Sequence, residues 1–194
     1  MSIYFTSDLH FGHRHVLEAC RPQFETTDEM DAFLLENWNH TVTDNDEVYI
    51  LGDLCYKSKN PADYYLSRMS GKKHLIVGNH DYKWLKAMED EDKKQYFVSV
   101  DHLCTVNMGK HLLTLCHYPM LEWNRSRYAS DQATSTSWLI HGHIHNSTTL
   151  ESYRYIKEHL PCALNAGVDI NSYMPVTFEQ MLENNNRWYG RITF

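Results

Sequence analysis

Leu75-Ile76-Val77-Gly78-Asn79-His80-Asp81 is a short, partly β-branched apolar run that gives way at once to small and polar residues, the pattern of a buried strand ending in a loop. The same form recurs along the chain. Ile3-Tyr4-Phe5 precedes Asp8, Val48-Tyr49-Ile50-Leu51 precedes Asp53, Leu112-Leu113-Thr114-Leu115 precedes His117, and Trp138-Leu139-Ile140 precedes His143. Helical patterns lie between the early runs. The clearest spans Thr27 to Val42, with Met30, Phe33, Leu34, Asn37 and Trp38 on one stripe and Asp28 and Glu29 where a helix N-terminus favours acid. Strands alternating with helices imply an α/β layered fold, in which the loops at the carboxyl ends of strands converge on one rim. Motifs far apart in sequence can therefore form one site.

Outside that frame, Val98 to Leu115 reads as two strands joined by a turn near Met108-Gly109-Lys110, which places antiparallel pairing in the second half. Thr177-Phe178-Glu179-Gln180 fits a capping box opening a short helix, and Trp188 to Phe194 reads as a closing strand. At 194 residues, with no Pro-, Gly- or Ser-rich linker, the chain reads as a single domain over 1–194. The start lacks a basic, apolar leader pattern, and no run approaches the roughly 18 apolar residues of a membrane span. Five scattered cysteines (Cys20, Cys55, Cys104, Cys116, Cys162) form no CxxC pair, so the expected home is a reducing cytoplasm. A net charge of -7 argues against a sequence-independent grip on long nucleic acid, although a divalent metal pair can still hold one phosphate. Of 13 histidines, His40, His74, His102, His111 and His159 fall outside the motifs and read as surface or partly buried.

The strand-end loops carry Asp8-Leu9-His10, Gly52-Asp53, Gly78-Asn79-His80-Asp81, His117 and Gly142-His143-Ile144-His145. Two carboxylates, one amide oxygen and four imidazoles are seven candidate ligands: Asp8, His10, Asp53, Asn79, His117, His143 and His145. If Asp53 bridges, each of two cations gains four protein contacts and keeps positions open for water and substrate, which is the form of a catalytic site rather than a structural one. Mixed oxygen and nitrogen donors without thiolate suit Mn, taken as first choice, with Fe, Zn, Co or Ni as alternatives. Each motif alone matches by accident; the conjunction, in order, carries the reading.

With these residues in place, the chain resembles the calcineurin-like metallophosphoesterase superfamily, whose pattern is DxH, GD, GNH[D/E], an isolated His and GHxH. All five blocks match from Asp8 to His145, and the opening Asp-Leu-His-Phe-Gly-His is similar to small bacterial or phage-type phosphoesterases. The resemblance implies a four-layer α/β/β/α sandwich of two mixed sheets flanked by helices, with a dimetal site on loops at the strand ends. It implies Asp8, His10 and His145 on a first metal, Asn79, His117 and His143 on a second, and Asp53 between them. A carboxylate can give one oxygen to each of two cations about 3.5–4 Å apart, which an imidazole cannot.

The expected reaction is hydrolysis of a small, nucleotide-like phosphate ester, with a phosphodiester favoured because His10 is retained, by a hydroxide bridging the two metals. His80, outside the ligand set, is the candidate proton donor to the leaving group, with Asp81 to orient its ring. His13 is expected to edge the site. The long irregular stretch from Tyr118 to Ser137 is expected to bring Arg125 and Arg127 to a substrate wall. Cys116, next to a ligand, reads as a packing residue. Rival readings are a nuclease, disfavoured by the acidic charge; a protein phosphatase, for which the chain offers little docking surface; and an interaction scaffold with a degraded site, which the intact ligand set opposes.

Overall fold

The computed structural model describes residues 1–191 and contains two four-stranded sheets. In the first, β1 (Ile3–Thr6), β2 (Glu47–Ile50), β3 (Lys72–Ile76) and β4 (Phe97–Asp101) lie side by side, all parallel. The second runs β5 (Leu103–Met108), β6 (His111–Cys116), β7 (Ser137–His141) and β8 (Ala163–Asn165), with β5 antiparallel to β6 and the remaining pairs parallel. The β5–β6 hairpin turns at Gly109 as the sequence implies. Val98, however, belongs to β4 in the other sheet: the chain changes sheets at His102, so the antiparallel pair is Leu103–Cys116 rather than a pair starting at Val98.

Three apolar clusters separate four layers, and the two-residue period of the strands builds all of them. On β2, Val48 and Ile50 face α1 (Arg14–Cys20), α2 (Thr27–Thr41) and α3 (Ala62–Leu66), meeting Leu17, Met30, Leu34, Trp38 and Tyr65. Tyr49 and Leu51 face the opposite way, against Leu113, Leu115, Trp138, Ile140 and Leu164 of the second sheet. Beyond that sheet, Leu139 and Ala163 pack on Tyr153 and Ile156 of α6 (Glu151–His159). The chain thus forms the α/β/β/α sandwich expected of it, except that only the second sheet is mixed: the four strands of the first are all parallel. Buried aromatics anchor the layers. Trp38 is fully buried and satisfies its indole N–H on the Ser70 carbonyl at 2.9 Å, so truncation to Ala would cost about 3–5 kcal/mol.

Helix α2 starts where Thr26 accepts a hydrogen bond from the Glu29 amide. The capping box at Thr177 and Gln180 forms, opening α7 (Phe178–Trp188). The closing strand expected from Trp188 is corrected: α7 runs through Trp188, because Phe178, Met181 and Asn185 recur at helical spacing and bury one face. The last three residues of that expectation, Ile192, Thr193 and Phe194, lie outside the described ones. Among the described residues, α4 (Tyr82–Ala87) and α5 (Asp90–Tyr96) are short, and no helix is long and apolar enough to cross a membrane.

Candidate metal centre

Every candidate ligand follows the carboxyl end of a strand: Asp8 and His10 after β1, Asp53 after β2, Asn79 after β3, His117 after β6, and His143 and His145 after β7. The loops are spliced together by backbone bonds that prolong the parallel pairing of β1 and β2. Asp8 N–H donates to Gly52 at 3.0 Å, His10 N–H to Asp53 at 2.9 Å and Phe11 N–H to Leu54 at 2.9 Å. Gly52 (φ +87°) and Gly78 stand back to back, and a Cβ on Gly52 would lie 2.6 Å from the Gly78 Cα and from His117 Nδ1. Only glycine lets these two loops approach so closely.

Each carboxylate is held by one backbone N–H and presents an oxygen to imidazoles. His80 N–H donates to Asp53 Oδ1 at 2.8 Å, while Asp53 Oδ2 lies 3.4 Å from His10 Nε2, 3.6 Å from His117 Nε2 and 4.0 Å from His80 Nε2. His143 N–H donates to Asp8 Oδ2 at 2.9 Å, and Asp8 Oδ1 lies 4.0 Å from both His10 Nε2 and His145 Nε2. Asp8, His10 and His145 thus form one group able to share a cation, Asp8, Asp53 and His117 a second, and His10, Asp53 and His80 a third. Asn79 Oδ1 comes within 3.0 Å of His117 Nε2. The His143 ring, exposed at the mouth, stands 5.2 Å from the His117 ring by centroids but enters none of the three groups.

Divalent metal ions suit this arrangement. His10 is 1% exposed, its Nε2 finds no hydrogen-bond partner among the described residues, and that atom faces two buried carboxylates, so a cation completes what these residues leave unpaired. Burial pushes the Asp53 carboxyl up to about 7, with Asp8 adding and His117 opposing. Burial likewise holds His10 well below the ordinary imidazole range and His143 below it, leaving lone pairs free for a metal. The backbone is shaped for ligation at a cost: Asp8 (φ +58°), His10 (+50°), Asp53 (+57°), His143 (+73°) and His145 (+50°) all occupy the left-handed region.

The partners behind the imidazoles fix which nitrogen points inward. His117 Nδ1 sits 2.7 Å from the Leu51 carbonyl and donates there, leaving Nε2 for a metal. His145 Nδ1 donates to Asp169 Oδ2 at 2.8 Å. Arg21, fully buried, ties this pair to the site: its Nε donates to Asp169 Oδ1 at 2.7 Å, and its guanidinium N–H groups reach the Leu9 and Asp8 carbonyls at 2.7 and 2.5 Å. The Arg21 guanidinium and the His145 hydrogen bond hold the Asp169 carboxyl below its usual range against the opposing effect of burial. The sequence reading missed Arg21 and Asp169. One signal was available for the second: Ala163-Leu164-Asn165-Ala166-Gly167-Val168-Asp169 is another apolar run ending in a polar loop.

Three expectations need correction. Asp81 does not orient His80. Its buried carboxylate accepts from the backbone N–H groups of Asp53, Leu54 and Gly78 at 2.8 to 2.9 Å and from Trp84 Nε1 at 3.0 Å, so it clamps the two loops together and has no bond to the His80 ring. His13 reaches the centre but is 8% exposed, with its Nδ1 3.0 Å from His10 Nδ1. Burial, then the neighbouring histidines, hold it at about 4, so as a neutral ring it accepts the His10 Nδ1–H and has little surface left for substrate. Arg125 and Arg127 are not brought to the centre at all. Trp123 and Asn124 are bonded to Ser137, the first residue of β7, which puts this stretch at the strand end opposite the ligands. Both arginines line a hollow of about 610 Å³ with Trp123, His159 and Leu160 that contains no ligand residue.

The family model described as calcineurin-like phosphoesterase matches residues 1–166. An uncharacterized protein of Methanocaldococcus jannaschii is 30% identical over 184 residues, covering 93% of this chain and 89% of its own length. The gene 66 protein of Mycobacterium phage L5 is 29% identical over 193 residues, covering 86% of each chain. The crystal structure of a protein of unknown function from Aquifex aeolicus, 26% identical, superposes with a TM-score of 0.63 over 90% of this chain and 94% of that one.

Proposed function

The chain belongs to the calcineurin-like phosphoesterase family, and from that membership we propose that it is a metal-dependent hydrolase of small phosphodiesters, with two divalent cations, Mn first among them, at the strand-end loops. The observation that carries the metal dependence is His10 Nε2, buried, unpartnered and aimed between Asp8 and Asp53. Cations bound there supply Lewis acidity toward the phosphate oxygens and make a water acidic enough to act as nucleophile near neutral pH.

The protein's own residues then divide the remaining work. Asp53, with Oδ1 fixed by the His80 amide, offers Oδ2 toward both halves of the centre. Asn79 and His143 are exposed, so the second half of the centre opens to solvent and to an incoming phosphate. His80 projects its ring to the same mouth, half-buried, with Nε2 4.0 Å from Asp53 Oδ2. From there His80 Nε2 can hand a proton to the departing oxygen as the bond from phosphorus breaks. The acidic charge of the chain, -7, fits a low-molecular-weight ester better than long DNA or RNA.

Hydrolysis of bis(4-nitrophenyl) phosphate and 4-nitrophenyl phosphate with Mn²⁺ tests this reading, the diester having the higher kcat/KM. His80→Ala should keep both metals and lose about 10²-fold on an alkyl ester but less than about tenfold on a nitrophenyl ester, whose leaving group needs no proton. Equal losses on both would remove His80 from its role. No metal-dependent turnover of either nitrophenyl ester would overturn the function.

A further inference from the structure

Beside His80 lies a second cavity that the hydrolytic centre does not use. It encloses about 330 Å³ between the loop after Asp53 and α4, with Tyr56, Lys57, Ser58, His80, Lys83 and Trp84 on its walls. Two other hollows, of about 390 and 610 Å³, flank α6 and contain none of the ligands. This cavity alone of the three shares a residue, His80, with the centre.

Its walls are preformed. The Trp84 indole N–H is fixed on Asp81 Oδ1 at 3.0 Å, the carboxylate that also clamps the ligand loops. Tyr56 packs on the His80 ring at 4.2 Å between centroids and on His13 at 4.8 Å. The loop is anchored by Tyr56 N–H on the Phe11 carbonyl at 3.3 Å and by Ser58 Oγ 2.6 Å from the Tyr65 hydroxyl. Lys57 holds a left-handed backbone (φ +50°), and its ammonium stands 5.2 Å from the Tyr56 ring centre. Both lysines of the lining are exposed, the lining includes no carboxylate, and among the described residues neither lysine is paired with one. In a chain of net charge -7, aromatic walls with two free cations are a chemical preference rather than a background.

We propose that this cavity is the leaving-group site, built for a planar aromatic moiety that carries a second negative charge. This rests on the phosphoesterase reading and makes it narrower. A water adds to phosphorus at the centre and sheds a proton, the bond from phosphorus to the leaving oxygen breaks, and that oxygen takes a proton from His80, which the proton shed by the water replaces; His80 is the wall the centre and the cavity have in common. A ring departing past His80 enters between Tyr56 and Trp84, and an acidic substituent on it meets Lys57 and Lys83. The class of substrate is therefore a diester whose released alcohol is itself an aromatic anion, as a phosphorylated nucleoside is.

Two probes separate the cavity from the chemistry. Methyl 4-nitrophenyl phosphate and its analogue with a carboxylate meta to the leaving oxygen share the same phosphoryl centre and differ by one charge in the leaving group. With the Mn²⁺-loaded protein, the carboxylated substrate should show a KM about fivefold lower, the size of two exposed ion pairs. That ratio should fall to one or below in the Lys57→Glu, Lys83→Glu double variant. Calorimetric binding of the free phenol 5-hydroxy-2-nitrobenzoate against 4-nitrophenol should give the same ratio and the same loss, whether or not turnover occurs. Equal affinity for the two phenols, or a preference that survives the double variant, overturns the cavity proposal. Selective binding of the acidic phenol without hydrolysis of either ester would keep the cavity and overturn the phosphoesterase reading instead.

Discussion

Replacing His143 with glycine tests whether the ligand loops store backbone strain for the sake of the metals. His143 has φ +73°, its ring is exposed, and its backbone N–H, which any residue retains, bonds to Asp8 Oδ2 at 2.9 Å. A left-handed L-residue costs about 1–2 kcal/mol, and glycine returns about 0.4–1 kcal/mol of that through the looser unfolded chain. His143→Ala is the control, since it removes the same ring and keeps the strain. The glycine variant should therefore be more stable than the alanine variant by about 1 kcal/mol, or roughly 2–4 °C in melting temperature for a domain of this size. Urea denaturation in EDTA reads the difference without metal, and calorimetry with Mn²⁺ should show both variants binding more weakly than the wild type. A glycine variant no more stable than the alanine variant would refute the argument that these loops trade stability for ligand geometry.

Two other predictions address groups behind the ligands. Asp169→Asn leaves the fully buried Arg21 without its charge partner while the Leu9 and Asp8 carbonyls still hold it, so the cost should be about 3 kcal/mol in urea. The same change should weaken metal binding about tenfold by releasing His145 Nδ1, and wild-type metal affinity in this variant would contradict the orienting role. His141 is fully buried and held at about 4, chiefly by desolvation, against an ordinary 6.5. Its folded value is lowered, so the unfolded chain binds the extra proton first: stability is fully present above pH 6.5 and is lost by up to about 3 kcal/mol as pH falls to 4. His141→Asn keeps a donor for the Gly142 carbonyl and removes that titration, so the difference between the two proteins in urea at pH 7 and pH 5 isolates it, and parallel losses would contradict the assignment.

The layers were legible because strands announce themselves by local apolar runs, and the same runs brought the seven candidate ligands to one rim, where Asp8, His10, Asp53, His117 and His145 fall into groups able to share a cation. What the sequence withheld were directions and distances. Asp81 follows His80 in the chain, yet its side chain turns to the backbone of the Asp53 loop, a contact across 28 positions that no local pattern encodes. Arg21 and Asp169 meet across 148 positions, and a charged pair whose side chains are both 0% exposed looks no different in sequence from two surface charges. Arg125 and Arg127 have the right chemistry for phosphate, but the rim they occupy depends on which end of β7 Trp123 and Asn124 grip. At the C-terminus, Trp188 and Tyr189 suggest a strand by composition, whereas the helical spacing from Phe178 to Asn185 carries the chain on through Trp188.

The most direct test is anomalous diffraction from crystals grown with Mn²⁺, collected at the manganese edge. Two peaks roughly 3.5–4 Å apart are predicted, one against Asp8, His10 and His145, the other against Asn79, His117 and His143, with Asp53 touching both. A single peak, or a pair that leaves Asp53 without contact, would contradict the account at its centre.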